Sequence, residues 1–536
     1  MNRYYFLPIA GCLLVASLIV GCSDDLLDKT PKESLTSDFV WSNPLAAEQF
    51  VNGIYADLTS GFQRESCTYM LDAAADDGDN SFSWTSAEKF NFSTFGPANS
   101  PLGGQWADLY KLVRKANLAL ANLNNLKDAT LRDRLKGETY FLRGYLYFEL
   151  LRFYGTRTSS GPPSGVPIID RLLTAGDNYL IPRSSYDETV DFIVKNYDSS
   201  AFLLPNSFKG TVNEGRATKG AALALKGRLL LYAERWSDAA AVSKELIDNK
   251  ATYGYDLFPK YYDLFLTKNN QEVIFVKKYK NPEKTHNYDQ FQGIGGSTGG
   301  WGGLCPTQEL VDEYEMIDGK KITNSPLYDP SNPYDNRDPR FEATILHNGS
   351  MFKGEPVETF LGGKHRLLDD PDRTKTGYYA RKYFDDFVYG SRGSDTDWIY
   401  MRFGEVLLNY AEAQNEIMGP DASVYEAIQK IRDRVNMPPL AAGLSKDQMR
   451  EAIQHERRVE FAFEEHRFFD VRRWGIANQV LNRPFYSMMI NKTGSNTFTY
   501  QLEPLEIRVY QDKNIVLPIP QEEIDKNPEA VQVAGW

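Results

Sequence analysis

Residues 216–250 constrain the fold more than any other stretch. Ala221–Tyr232 is apolar-rich and of helical length, Glu234-Arg235-Trp236-Ser237-Asp238 is a short turn, and Ala239–Leu246 opens a second helix. Ala222, Ala224, Gly227, Ala239 and Ala240 are small, so the two helices can approach closely. Gly227, Tyr232, Trp236 and Ala239 fit a helix-turn-helix repeat of tetratricopeptide type, although any αα-hairpin gives a similar pattern. Such a unit cannot bury its apolar face alone, so it calls for further helices. The chain offers them. Trp41 to about Ser60 has helical spacing, and 105–154 reads as two helices split near Asp128-Ala129-Thr130, the second ending at Gly155. A second pair lies at Phe403–Met418 and Ser423–Asn436, followed by a helix over Lys446–Trp474 that Ser445 and Gln448 open as a capping box.

Between these blocks the pattern changes. Residues 72–104 are loop-like, and 156–183 form a Gly/Pro-rich connection. Over 271–400 Gly and Pro become frequent and long helical periodicity vanishes, with a strand at Glu272–Lys278. Residues 481–536 are mixed, with a short strand expected at Asn514–Leu517. The expected fold is mainly α, a scaffold of helical pairs with a loop-rich region and few short strands. In the helix at 446–474, Glu456, Glu460 and Glu464 repeat at four-residue spacing and would repel on an isolated helix. Arginines among them point to pairing with neighbouring helices, with a catalytic carboxylate cluster as the competing reading.

The net charge of −12 argues against nucleic acid, which is bound through clustered Lys and Arg. Four cysteines, Cys12, Cys22, Cys67 and Cys305, show no zinc or redox spacing and are too few for a disulfide scaffold. At the N-terminus a single charge, Arg3, precedes an uncharged stretch whose apolar centre, Leu7–Val20, suits a secretory signal and is short for a membrane span. Ile19-Val20-Gly21-Cys22 resembles a bacterial lipobox, which implies cleavage before Cys22 and its lipidation. Ser23-Asp24-Asp25 resembles a surface-export signal of some Gram-negative lipoproteins. The segments expected are a signal peptide at 1–21, a lipidated tether at 22–40 and one domain at 41–536. That domain divides into helical parts at 41–270 and 401–480, a ligand-facing part at 271–400 and a mixed end at 481–536.

Seven stretches stand out together: ETYFLRGYLYFELLRFYG at 138–155, GVPIID at 165–170, GRATKGAALALKGRLLLYAERWSDA at 215–239, QEVIFVKKY at 271–279, RFGEVLLNYAEAQNEI at 402–417, HERRVEFAFEEHRFFDVRRWG at 455–475 and VLPIPQEEIDKNP at 516–528. In this order they resemble the SusD/RagB family of nutrient-binding outer-membrane lipoproteins. The resemblance implies a tetratricopeptide-like scaffold that seats against a SusC-like TonB-dependent outer-membrane barrel, with an irregular side that presents a ligand, commonly a glycan. It implies binding without catalysis, no cofactor and no metal. Competing classes are a peptide-binding RagB-like member, a surface glycoside hydrolase and a purely structural partner of the transporter.

A sugar offers an apolar face to a flat aromatic ring and hydroxyls to Asp, Asn, Gln or Arg. Two non-helical windows supply both. In Asp76-Asp77-Gly78-Asp79-Asn80-Ser81-Phe82-Ser83-Trp84-Thr85, the candidates are Trp84, Asp77, Asp79 and Asn80. Trp84 either packs in the core or stacks on ligand, and the Asp cluster lacks EF-hand spacing. In YDQFQGIGGSTGGWGG at 288–303, the candidates are Trp301, Tyr288, Phe291 and Gln292, with Asp289 in support. Trp301 either pins the loop or stands as a platform, and Thr298 breaks any GxGxxG match. A third, weaker group is Arg366, Asp369, Asp370, Asp372, Arg373, Tyr378 and Tyr379.

Overall fold

A computed structural model describes residues 37–536 except 68, 158–163, 296–297, 367–372 and 386–392. The expected signal peptide at 1–21, Cys22, most of the expected tether, and Asp369, Asp370 and Asp372 lie outside the described residues.

Among the described residues nine principal helices carry the scaffold: α1 Pro44–Asp57, α2 Gln105–Asn122, α3 Ala129–Tyr154, α4 Tyr186–Leu203, α5 Lys219–Tyr232, α6 Trp236–Asp248, α7 Phe403–Met418, α8 Ala422–Arg434 and α9 Lys446–Phe461. From α2 to α8 each packs on the next, and α9 returns onto α7. The boundaries follow from local chemistry. Asp128 caps α3 by accepting the Leu131 N–H at 3.0 Å, and Ser185 and Glu188 form a capping box on α4. The expected box of Ser445 and Gln448 opens α9. The α3 helix is buried on nearly every face from Leu135 onward and lies inside the stack, its Glu138, Arg143 and Glu149 buried with it. Its glycines set the spacing to α4: a Cβ at Gly137 would come within 2.8 Å of Leu204, and one at Gly144 within 3.0 Å of the Tyr197 ring. Gly227 plays the same part between α5 and α6, where a Cβ would lie 3.3 Å from Ser243 Oγ.

The irregular region between α6 and α7 is closed at its neck by one strand pair. Strand β2, Val273–Lys277, runs antiparallel to β4, Trp398–Arg402, with Val273 opposite Arg402 and Lys277 opposite Trp398. Strand β4 leads directly into α7. A smaller ribbon joins β1, Gly78–Asn80, to β3, Leu304–Pro306. Buried apolar residues from Trp41 to Val533 form one contiguous core beneath both regions.

Three expectations are corrected. The first helix is two, Ser37–Ser42 and α1, because Asn43 caps the second and Pro44 begins it. The helix expected over Lys446–Trp474 breaks after Phe461 and resumes as α10, Arg467–Arg473. In the intervening turn Phe463 and Glu465 take positive φ, and both donate their N–H to the buried Asp72 carboxylate at 3.1 Å. Asn514–Leu517 is not a strand: Asp512–Ile515 is a 3₁₀ turn, and Leu517 N–H bonds to Phe153 O at 2.7 Å, at the end of α3. The strands of this part are a hairpin, β5 Pro484–Lys492 and β6 Phe498–Ile507.

Glu456 and Glu460 of α9 and Glu464 of the turn after it are paired, each with cations from other segments. Glu456 meets Arg340 at 2.6 Å and Arg432 at 2.8 Å. Glu460 meets Arg434 at 2.6 Å, Arg402 at 2.7 Å and Arg340 at 3.1 Å. Glu464 meets Arg402 at 2.8 Å and Lys382 at 3.0 Å. All are buried, so their mutual repulsion is offset by guanidinium and ammonium groups brought from the irregular region, β4 and α8.

Candidate functional site

The two aromatic windows, far apart in sequence, meet on the β1–β3 ribbon. Gly78, Asp79 and Asn80 lie opposite Pro306, Cys305 and Leu304. The pairing continues at both ends, with Ser81 N–H to Gly303 O at 3.0 Å and Thr307 N–H to Asp77 O at 3.1 Å. Side chains reinforce it: Ser81 Oγ donates to Gly302 O at 2.7 Å, and Thr307 Oγ1 to Asp76 O at 2.7 Å. The Cys305 thiol is free and buried.

From this ribbon the chain turns outward. Asn80 Oδ1 accepts the Phe82 N–H at 2.8 Å, an Asx-type turn after which Phe82 stays buried and Trp84 reaches the surface. The Trp84 indole is 63% exposed and lies nearly parallel to the Phe82 ring, with centroids 5.3 Å apart and planes at 14°. Trp301 meets the same Phe82 edge-on at 6.2 Å and Phe291 at 4.6 Å. The result is a run of four aromatic rings, Trp84–Phe82–Trp301–Phe291, with Trp84 mostly in solvent and Trp301 and Phe291 half-buried. Sequence reasoning did not single out Phe82, the ring that joins the two indoles. Its place in the window between Asn80 and Trp84 was the available signal.

The Gly-rich segment follows the short helix Tyr288–Gln292 and folds back on it. Trp301 N–H bonds Gln290 O at 2.8 Å, Gly302 N–H bonds Gly293 O at 2.7 Å, and Gly303 N–H bonds Phe291 O at 2.8 Å. Gly302 has φ +66°, and a Cβ at Gly303 would sit 2.6 Å from Gln292 Oε1 and 3.1 Å from the Phe82 ring. These glycines let the loop lie close against the ring that bridges the indoles.

Five of the expected contact residues are not at the surface. Asp77, Asp79, Asn80, Tyr288 and Gln292 are fully buried, and they hold the site from beneath. Asp77 pairs with Arg458 at 2.7 Å. Asp79 pairs with Lys375 at 2.9 Å and lies 3.6 Å from Arg508, whose guanidinium also donates to Gly78 O at 2.9 Å. Neighbouring Asp76 takes two 2.8 Å bonds from Arg467. Burial would raise the Asp76 pKa, but Arg458 and Arg467 hold it well below the usual carboxylate range. With their carboxylates engaged by arginine and lysine, these aspartates form an anchor for the ribbon. Tyr288 stacks on Phe384 at 4.9 Å and packs on Phe62 at 4.5 Å. Burial pushes the adjacent Asp289 up to about 7. Of the third group, Tyr378 bonds Gln308 Oε1 at 2.7 Å and Tyr379 bonds His365 O at 2.8 Å, both in the core. Among the described residues no group of three or more His, Cys, Asp or Glu is placed to hold a metal ion, and no helix is long and apolar enough to cross a membrane.

Two family models match the chain. Residues 271–536 match the SusD family, and residues 25–231 match a family described as starch-binding and associating with the outer membrane. A SusD-like protein of Bacteroides fragilis superposes with a TM-score of 0.81 at 31% identity, covering 95% of this chain and 100% of that one. A SusD-like carbohydrate-binding protein of the same organism superposes with a TM-score of 0.80 at 25% identity, covering 92% of this chain and 100% of that one. A SusD-like protein of Formosa agariphila is 26% identical over 490 residues, 86% of this chain and 89% of that one. Stacked helix pairs, an irregular insertion closed by a strand pair, and these matches at both ends together establish that the chain belongs to the SusD family.

Proposed function

We propose that this protein is a cell-surface lipoprotein, anchored through Cys22 in the outer membrane, that captures an oligosaccharide and delivers it to a SusC-like TonB-dependent transporter. The observation that carries the reading is the Trp84–Phe82–Trp301–Phe291 surface, whose outermost indole is exposed and backed by a parallel ring. An exposed tryptophan held rigid by its neighbours can cover the apolar face of a sugar with little loss of entropy. The family description that names starch binding and the outer membrane supports this, as does the carbohydrate-binding relative. Catalysis draws no support from the buried glutamates of α9, each of which is already matched by arginine or lysine.

The test is the Trp84→Ala/Trp301→Ala double variant, assayed by affinity gel electrophoresis and calorimetry against a polysaccharide panel. Truncating ring anchors of this kind costs about 2 kcal/mol or more, or about 30-fold in affinity. Undiminished binding by a folded double variant would refute the site. Co-purification with the transporter from outer membranes, lost in a Cys22→Ala variant, tests anchor and delivery.

A further inference from the structure

The four-ring surface has an angle built into it. Phe82 is the common reference: the Trp84 indole lies 14° from its plane and the Trp301 indole 85° from it. The two indole planes therefore differ by at least about 70°, the difference between those angles. Trp84 and Trp301 form a corner, not a single floor. They are also close together, since their centroids can be no farther apart than the 5.3 Å and 6.2 Å steps to Phe82 laid end to end.

Packing fixes this corner. Phe82, only 4% exposed, is the post between the two arms. One face of the Trp84 indole rests on it, so a sugar can stack only on the opposite face. Trp301, half-buried, is held from two directions: its N–H bonds Gln290 O at 2.8 Å, and the Phe291 ring meets it at 78° with centroids 4.6 Å apart. Gly303 closes the joint, because a Cβ there would come within 3.1 Å of the Phe82 ring. Contacts this close leave no room for the indoles to swing into one plane without breaking the packing around Phe82.

We propose that this corner selects glycans that turn sharply between neighbouring sugars, at a branch point or along a wound chain, over glycans that run as flat two-fold ribbons. The proposal rests on the glycan reading above and narrows its substrate class. A sugar stacks with its ring parallel to the indole beneath it, so sugars on Trp84 and Trp301 together must stand at a steep angle to each other. In a linear β-1,4-linked ribbon each ring is flipped about the chain axis, and the ring planes stay nearly aligned. Such a chain can stack on one indole and leaves the other unmet. A branch, or a linkage that winds the chain, presents two nearby rings at a steep angle and satisfies both.

The experiment is calorimetry of the intact protein with oligosaccharides of equal length in glucose, mannose, galactose and xylose series. Each series pairs a linear β-1,4-linked chain with the same chain carrying a single-unit branch, and the glucose series adds α-1,4- and β-1,3-linked chains. At least one turned chain is expected to bind tenfold or more tighter than the ribbon of the same sugar. Which arm shows the preference distinguishes branch from wound chain. Trp84→Ala and Trp301→Ala should each bring the ratio near one. Trp301→Tyr, which keeps a ring at that position, should retain most of it, and this separates lost recognition from lost folding. Ribbons that bind as tightly as their turned partners, or a ratio that survives Trp301→Ala, overturn the proposal and leave glycan binding standing. Failure of every chain to bind overturns both readings.

Discussion

Glu460→Gln tests the ion network of α9 directly. Glu460 is buried and bonded to Arg434, Arg402 and Arg340 at 2.6, 2.7 and 3.1 Å. The substitution keeps the shape and removes the charge that balances them. Arg402 would retain Glu464 at 2.8 Å and Glu272 at 2.7 Å, and Arg340 would retain Asp338 at 2.7 Å and Glu456 at 2.6 Å. Among the described residues Arg434 would retain only Glu272 at 3.3 Å, so most of the penalty falls there. Breaking a buried pair costs about 3–5 kcal/mol, because a charge is left without its partner in low dielectric. Urea unfolding at pH 7, followed by circular dichroism, should show a loss of that size. Glu460→Gln/Arg434→Met should be more stable than the sum of its single variants by about 1–3 kcal/mol. Burial alone would raise the Glu460 pKa, but Arg434, Arg402 and Arg340 hold it well below the ordinary value of about 4.3. Its contribution is therefore complete above that value and is lost as pH falls toward the folded-state value. The gap between wild type and variant should close in acid. A loss under about 1 kcal/mol at pH 7, strict additivity in the double variant, or a gap independent of pH would refute the reasoning.

His286 and His466 are each lowered to about 4 by burial. The unfolded chain takes up protons below about 6.5 that these rings refuse when folded, so stability should decline from there toward pH 4 and His286→Gln should flatten the decline in a melting series. Gly303→Ala would push a methyl group to within 2.6 Å of Phe291 O and Gln292 Oε1. It should cost about 1–3 kcal/mol in thermal unfolding and weaken polysaccharide retardation in the same gels. Ser185→Ala removes one half of the capping box on α4 and should cost about 1 kcal/mol with glycan affinity unaltered.

The helical scaffold could be read from the sequence because its signals are local. Small residues at Gly227 and Ala239, caps at Asp128 and Ser445, and apolar spacing within one helix need no knowledge of distant partners. The break after Phe461 could not be read this way, since it depends on Asp72 receiving two backbone N–H groups from the far end of the chain. The β5–β6 hairpin was hidden by Pro504, which sits at an irregularity in the pairing, and by a largely solvated second strand. At the candidate site, the aromatic windows stood out as rings in polar, glycine-rich surroundings. The roles of Asp77, Asp79 and Asn80 did not, because an acidic loop looks the same in sequence whether its carboxylates face solvent or arginines several hundred residues away. Arg458, Arg467 and Arg508, which decide that question, belong to other elements.

The β1–β3 ribbon has a bearing on biogenesis. A growing polypeptide displays Trp84 early, but the ribbon beneath it forms only once Leu304–Pro306 have emerged to pair with Gly78–Asn80, and Lys375, Arg458 and Arg467 then engage the neighbouring aspartates in turn. A chain cut short of Leu304 therefore lacks the strand on which the Trp84 window closes.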